Sequence, residues 1–484
     1  MRTSTFAPSL LLLGCLALAT ACSSGAAGSS GAAGSSGTGA AHAGSSPVSA
    51  ARGVDPSKIK GLDIVTDSSE HSSCPYAASY PAVPGAETMT AAMKKYVEAR
   101  LTDFRSGSCG SDSMADEARE LNISYEFLVA SGDVLGVRLT TRDGTAAGDG
   151  LMTTTYWYDG KDRAYRTALG LISDGSRNAF GAALKKQLEG REGVDAASLD
   201  EAFADPADHA SVLDDMTFTA NGGLRVTFDR GEVGVPAAGR YTVTFSKATV
   251  TPWLSDFGKR AQRQTVHPSG GLDLGAVHTP APAVPTQTAS GTDTTDCRKV
   301  KCVALTFDDG PAAPETATLL TYLATYKARV TFFTVGQNVA AHPELVRAEA
   351  RAGHEIGNHS WNHPDLTRLT PEQINSQLTR TSAAIKAATG KAPALFRPPY
   401  GAVNATVKAA TTLSTVLWDV DTEDWKYPDA AKVARTVITK AGRNDVVLMH
   451  DIHPTSVAAV PEILRTLTAR GYHFVTVSHL RATL

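Results

Sequence analysis

The chain has no excess of charge of either sign. Its 484 residues carry 46 Lys and Arg against 49 Asp and Glu, a formal net charge of −3. The positive field that a nucleic-acid partner requires is therefore missing. Long apolar runs are scarce as well. Leu10 to Leu18 is the run worth testing as a membrane element, and it is shorter than the ~20 residues a bilayer span needs. Cysteine is sparse, at 6 residues with no CxxC pair, which argues against a thiolate metal site. What remains, 42% apolar and 20% charged, is the composition of a globular protein. At roughly 150 residues per domain the length allows about three domains, so some of the chain must be linker.

Met1-Arg2 opens a positive segment, and the short apolar run ends in Leu18-Ala19-Thr20-Ala21-Cys22. That pattern reads as a secretory signal over residues 1–22. Its end resembles a lipobox, in which small residues precede a cysteine that is diacylated and becomes the mature N-terminus, here Cys22. The tract Ser23 to Ala50 is almost entirely Gly, Ala and Ser and cannot bury a core, so residues 23–54 are expected to be a flexible tether. The protein is expected to be exported and lipid-anchored on the outer face of the cell membrane, with soluble secretion as the alternative. Export changes how the remaining cysteines are read. Cys74, Cys109, Cys297 and Cys302 are an even set in an oxidising compartment. They allow three pairings, and closeness in sequence favours Cys74 with Cys109 and Cys297 with Cys302.

Residues 55–265 read as an α+β accessory domain. Met89, Met93, Tyr96, Val97, Leu101 and Phe104 recur at helical spacing and predict an amphipathic helix over Glu87 to Phe104. Ile123 to Leu139 alternates around a Gly-containing turn, Thr153 to Arg166 suggests a hairpin at Asp159-Gly160, and Asn221-Gly222-Gly223 marks another. No catalytic constellation is evident here, and His71, His209 and His267 are isolated. Residues 266–296 are rich in Pro, Thr, Ser and Gly and predict an extended, poorly ordered spacer.

From Cys297 apolar strands alternate with helices. Strands are expected at Val303-Phe307, Val330-Val335, Glu355-His359, Leu395-Arg397, Thr415-Asp421, Asp445-His450 and Phe474-Val477. Helices are expected after Pro314, from Pro343 and Pro371, after Asn404, and from Asp429 and Pro461. This alternation implies a parallel sheet closed into a barrel, with chemistry at the C-terminal strand ends. Polar clusters fall at those ends: Thr306-Phe307-Asp308-Asp309-Gly310-Pro311, His359-Ser360-Trp361-Asn362-His363, Arg397-Pro398-Pro399-Tyr400-Gly401, Asp421-Thr422-Glu423-Asp424-Trp425 and Leu448-Met449-His450. Any one of these could be an ordinary turn. A barrel gathers all of them around one mouth.

Together they resemble the polysaccharide deacetylases with a NodB-type homology domain, carbohydrate esterase family four. The resemblance covers residues 297–484 and includes the family's motifs in order. It implies a distorted parallel (β/α) barrel, an α/β fold preceded here by the smaller α+β domain, and metal-dependent hydrolysis of N-acetyl groups on a polysaccharide. The chemistry agrees: an amide carbonyl is a poor electrophile and water a poor nucleophile, so hydrolysis near neutral pH needs a Lewis acid with an open position. Asp309, His359 and His363 are the expected ligands, a set that suits Zn²⁺. Pro364 disfavours regular helix at His363, so the two imidazoles should sit on a turn.

By resemblance Asp308 is the general base, oriented and kept ionised by Arg397. His450 is the expected general acid towards the leaving nitrogen, held protonated by Asp424. Asp421 is expected to support its loop. The resemblance assigns an oxyanion-stabilising N–H to Tyr400, with Trp425 and Leu448 lining the groove around the acetyl methyl. Peptidoglycan is the expected substrate. Alternatives are deacetylation of chitin oligosaccharides, O-acetyl xylan esterase activity, or a catalytically silent binding protein. The accessory domain's helix and hairpins suggest glycan or lysozyme binding.

Overall fold

The computed structural model describes residues 53–70, 74–108, 119–144, 150–204, 211–276, 283–289 and 291–484. The expected signal, the expected tether apart from Gly53 and Val54, and Cys22, Cys109, His71 and His209 lie outside them. Among the described residues no helix is long and apolar enough to cross a membrane.

The accessory region is built on two sheets. Strands β1 (Asp63–Ser69), β2 (Tyr76–Ala82), β3 (Leu121–Ser131), β4 (Val134–Asp143), β5 (Leu151–Asp159) and β6 (Ala164–Thr167) pair in chain order. β2 and β3 run parallel, and the helix Glu87–Ser108 makes the crossover that parallel pairing demands. Met89, Met93, Val97, Leu101 and Phe104 of that helix are buried against the sheet, each stabilising by about 1.5–3 kcal/mol. Ala341, a barrel residue, joins the same core. β7 (Asp215–Phe218), β8 (Leu224–Phe228) and β9 (Tyr241–Phe245) form an antiparallel meander. It packs with helices Arg177–Leu188 and Asp256–Val266 around Trp157, Phe180 and Phe228.

The second half is a parallel sheet of β10 (Lys301–Asp308), β11 (Thr331–Thr334), β12 (Glu355–Asn358), β13 (Leu395–Phe396), β14 (Ser414–Thr415), β15 (Val420–Asp421), β16 (Val446–His450) and β17 (Tyr472–Phe474). Its order is β14-β13-β12-β11-β10-β16-β15, with β17 on the early part of β10. The path runs from β14 to β15 with no ladder between these end strands, so the expected closed barrel is an incomplete one. The expected strand Thr415–Asp421 is split between β14 and β15. Arg397 explains the break: its Nε and Nη2 donate to the carbonyls of Val416 and Leu417 at 3.3 and 3.1 Å, which turns this backbone away from a ladder.

Two further boundaries differ from expectation. The helix expected from Pro461 starts at Pro454 and carries Pro461 inside it. Proline suits the first helical position, where no N–H is needed. The bond lost at Pro461 is offset by burial of Val457, Val460, Ile463, Leu464 and Leu467 along one face. The last strand ends at Phe474 because the Thr476 side chain accepts from the His479 N–H and caps a helix over Val477–Ala482.

Residues 48–484 form one compact unit. The described parts of 266–296 are tied to both halves. The Asp273 N–H donates to the Gly132 carbonyl at 2.8 Å, and Leu274 is buried in the accessory core. The Ala289 N–H donates to the Arg351 carbonyl at 2.8 Å. Cys297 and Cys302 are disulfide-bonded, and Cys74 is disulfide-bonded as well.

Candidate active site

Sheet register brings the first residues together. Asp308 at the end of β10 lies opposite His450 at the end of β16 and Phe333 on β11. Leu448 pairs with Thr306 two residues earlier, so it shares a face with His450. Asn358 at the end of β12 pairs with Phe396 on β13, which sets His359 beside Arg397. The chain then leaves the strands in unusual conformations: Asp309, Ser360, His363 and Tyr400 have φ of 72°, 66°, 56° and 59°. Positive φ in such residues costs of order 1–3 kcal/mol each and concentrates at functional sites. Ser360 to His363 is a turn rather than a helix. After Asp309, Gly310 is required by space, because a Cβ there would collide with the Asp451 carboxylate.

Asp309, His359 and His363 present ligand atoms within 4.8 Å of one another. Asp309 Oδ1 stands 3.5 Å from His359 Nε2 and 3.4 Å from His363 Nε2. Tetrahedral ligands at about 2.1 Å from an ion are roughly 3.4 Å apart. All three atoms are buried with no hydrogen-bond partner among the described residues, a costly state for polar groups that a shared cation would relieve. The residues therefore fit a divalent metal. His359 Nδ1 lies 2.7 Å from the Arg397 carbonyl; since a carbonyl only accepts, Nδ1 carries the proton and Nε2 keeps its lone pair for a metal.

The adjacent carboxylates are held differently. Asp308 Oδ1 accepts from Arg397 Nη1 at 2.7 Å, yet burial outweighs that cation and raises its pKa to about 6. Burial also acts on Asp309, but His363, His450 and His359 overcome it and lower its pKa to about 2. Burial and the neighbouring His363 lower His359 to about 3. At His363 burial is opposed by Asp309 and Glu70, which raise it to about 9. Arg397 is wholly buried. It also donates to Thr306 Oγ1 at 2.7 Å and lies 4.2 Å from the centre of the Phe333 ring.

Across the mouth His450 Nδ1 meets Asp424 Oδ1 at 2.8 Å, and Ser456 Oγ donates to Asp424 Oδ2 at 2.5 Å. Burial disfavours the imidazolium, but Asp424 outweighs it and raises the His450 pKa well above its usual value. His450 Nε2 has no hydrogen-bond partner among the described residues. Trp425 is half-buried, and its backbone N–H donates to Asp424 Oδ1 at 3.1 Å. Tyr400 sets its ring edge-on to His363, with centroids 4.7 Å apart. Asp421 accepts from the Glu423 N–H at 2.8 Å, which makes it a loop support.

Sequence reasoning missed the accessory domain's share. Ser68 Oγ donates to Asp309 Oδ2 at 2.9 Å, and Glu70 Oε1 lies 3.5 Å from His363 Nε2. Asn122 Nδ2 donates to the carbonyls of Asn362 and His363 at 2.9 and 3.1 Å. The expectation of no site residues in residues 55–265 is thus corrected: β1 ends in the mouth of the barrel. The one available signal was the run Asp67-Ser68-Ser69-Glu70, polar on both faces of a strand end. Asp451 was also missed, although it directly follows His450; its carboxylate accepts from Thr316 Oγ1, and burial raises its pKa to about 7.

Residues 295–415 match the family described as "Polysaccharide deacetylase". A peptidoglycan-N-acetylglucosamine deacetylase of Bacillus cereus is 39% identical over 188 residues, which are 37% of this chain and 88% of that protein. The chain belongs to the polysaccharide deacetylase family. A peptidoglycan-N-acetylglucosamine deacetylase of Listeria monocytogenes is 43% identical over 180 residues, 37% of this chain and 39% of its own length. A peptidoglycan-N-acetylmuramic acid deacetylase of Bacillus subtilis is 42% identical over 180 residues, 37% of this chain and 38% of its own. The chain thus spans about two fifths of these last two relatives. The deacetylase homology lies in the barrel half, where Asp308, Asp309, His359, His363 and Arg397 all fall inside the matched family segment.

Proposed function

We propose that the protein hydrolyses N-acetyl groups on a cell-wall polysaccharide, most readily the amino sugars of peptidoglycan, and releases acetate. The reading rests on one observation: three buried ligand atoms of Asp309, His359 and His363, unpartnered and within 4.8 Å of one another, flanked by an Asp308–Arg397 pair and an Asp424–His450 pair. Asp309, His359 and His363 would hold a divalent ion, Zn²⁺ by the chemistry of the donor set, which would supply Lewis acidity towards the acetyl carbonyl and ease deprotonation of water. Asp308 takes a proton from the attacking water, and Arg397 fixes the carboxylate in place. His450 delivers a proton from Nε2 to the departing amine nitrogen. The backbone N–H of Tyr400 supports the developing oxyanion, while Leu448 and Trp425 wall the acetyl methyl.

The peptidoglycan assignment is supported by the activities of the relatives. We also propose export and anchoring through a diacylated Cys22, on the strength of the leader pattern and the Gly/Ala/Ser tract that follows it; substituting Cys22 with Ala should move the protein from the membrane fraction to the medium. The central test is acetate release from purified peptidoglycan, compared with chitin oligomers and acetylated xylan. Turnover should be highest on peptidoglycan, vanish with a chelator and return with Zn²⁺. Absence of acetate from every N-acetylated polymer at full Zn²⁺ occupancy would sink the reading.

A further inference from the structure

The turn that carries His363 is strained: Ser360 and His363 have φ of 66° and 56°, and such conformations persist only where their surroundings hold them. Its backbone groups can be followed one by one. Barrel residues take the N–H groups. The Ser360 N–H donates to Asn358 Oδ1 at 2.9 Å, those of Trp361 and Asn362 to Gln377 Oε1 at 2.7 and 3.2 Å, and that of His363 to Ser360 Oγ at 3.1 Å. The first two carbonyls also stay within the barrel, where Ser360 accepts from the Gly336 N–H and Trp361 from the Gln337 N–H. The next two leave it. The carbonyls of Asn362 and His363 accept from the single amide of Asn122, on β3 of the accessory domain, at 2.9 and 3.1 Å. Within the barrel the Tyr400 hydroxyl reaches the His363 carbonyl only at 3.4 Å. Those two carbonyls belong to the peptide planes on either side of the His363 Cα, so one side chain fixes both of its backbone dihedrals.

The two imidazoles differ in what else holds them. His359 Nδ1 is fixed by the Arg397 carbonyl at 2.7 Å, the usual outer partner of a metal-binding histidine. His363 Nδ1 is buried with no hydrogen-bond partner among the described residues, so its ring is aimed by its backbone and by the edge of Tyr400. Asp309 leans on the accessory domain as well. Its Oδ1 faces both imidazoles, while its Oδ2 accepts from Ser68 Oγ at 2.9 Å. We infer that Ser68 and Asn122 are positioning residues of the metal centre, so that two of its three ligands are aimed from the accessory domain. The inference rests on the reading of Asp309, His359 and His363 as that centre. A barrel without its accessory domain would keep every ligand and lose the hold on two of them.

The test uses the full chain. Zn²⁺ affinity is measured by competition with a chromogenic chelator for the natural protein, S68A, N122L, Q337A and D309N, and the visible spectrum of each Co²⁺-loaded form is recorded. N122L keeps the volume of the side chain and removes its amide. S68A and N122L are each expected to bind Zn²⁺ roughly 10- to 100-fold more weakly and to change the Co²⁺ spectrum, because the ligands themselves are displaced. Q337A removes a bond of the same seam, to the Tyr125 carbonyl at 2.6 Å, and that side chain holds neither ligand; it should keep the natural affinity and spectrum. Amide exchange in β10 and β16 that matches the natural chain's identifies a folded variant. Ser68 and Asn122 reach the centre from different strands, so either one, folded, tests the inference. Natural affinity and spectrum in the folded variants overturn it. So does an equal loss in Q337A, since the docked seam as a whole would then be responsible. Natural affinity in D309N overturns the reading of the centre itself, and the inference with it.

Discussion

Asp424 holds His450 at two points: Oδ1 meets the ring Nδ1 at 2.8 Å, and Oδ2 accepts the His450 backbone N–H at 2.8 Å. The first contact fixes the ring's charge and the second its position, leaving Nε2 free to act. Asp424→Asn keeps the shape and removes the charge. His450, now raised well above its usual pKa by Asp424, should then lose its proton at lower pH. An acid must be protonated to work, so the basic limb of kcat/KM should move to lower pH. The rate should fall by about 10²–10⁴. A pH profile of both proteins checks this, and an unmoved basic limb would remove His450 from the role of acid.

Arg397 is the second fixed point. Its guanidinium serves Asp308, Thr306 and the carbonyls of Val416 and Leu417 from a wholly buried position. Lysine offers a single ammonium and cannot reproduce that planar fork. Arg397→Met leaves Asp308 buried without its cation, a change that should cost about 3–5 kcal/mol. Urea denaturation should show the loss as a lower midpoint with an unchanged slope. Arg397→Lys should keep more of the stability and still lose most of the turnover, because Asp308 would no longer be held in one orientation.

Much of this was legible before any coordinates. The helix at Glu87 declared itself because its named residues keep helical spacing: Met89, Met93, Val97, Leu101 and Phe104 are buried and Tyr96 is half-buried. The barrel strands were legible as apolar runs, and the site as the polar residues that end them, since parallel register aligns Asp308 with His450. The split of β14 from β15 was not, because it depends on a guanidinium 19 residues away in sequence reaching the Val416 carbonyl. β1 was hidden for a related reason. Ser68 is buried by a partner 241 residues away, Asp309, and the polar run Asp67-Ser68-Ser69-Glu70 does not by itself say that its partners lie in the barrel half.

A pH effect on stability follows from the accessory domain. Asp214 is raised to about 7, first by burial and then by the charges of Asp229 and Asp215. Glu232 is raised to about 8, again chiefly by burial. In an unfolded chain these groups titrate at about 3.9 and 4.3. Between those values and the folded ones the native state binds protons that the unfolded state has released, so these two groups draw stability down as pH rises from about 4 to about 8, against the opposite pull below about 6.5 of His354 and His359, whose pKa burial lowers to about 3. Asp308 and Asp451 act in the same direction. The urea midpoint should therefore be higher at pH 5 than at pH 8. The double variant D214N/E232Q should flatten part of that slope, and an equal slope in the variant would exclude these two groups as its source.

The seam between the halves gives the last prediction. Asn122 donates to both the Asn362 and His363 carbonyls, Gln337 Nε2 donates to the Tyr125 carbonyl at 2.6 Å, and the Asp365 N–H donates to Glu120 at 2.7 Å. These bonds hold the seam between the halves closed at the turn that carries His363. Asn122→Ala removes two of them and should shift the balance towards the open form by about 1–3 kcal/mol, at roughly 0.5–1.5 kcal/mol each. The open population would rise by about 5- to 150-fold. Hydrogen exchange at Trp361–His363 should quicken accordingly, with no change in the barrel strands β10 and β16. If exchange at the turn stays as slow as in the natural chain, Asn122 does not hold the seam, and opening must be governed by the Gln337 and Glu120 contacts instead.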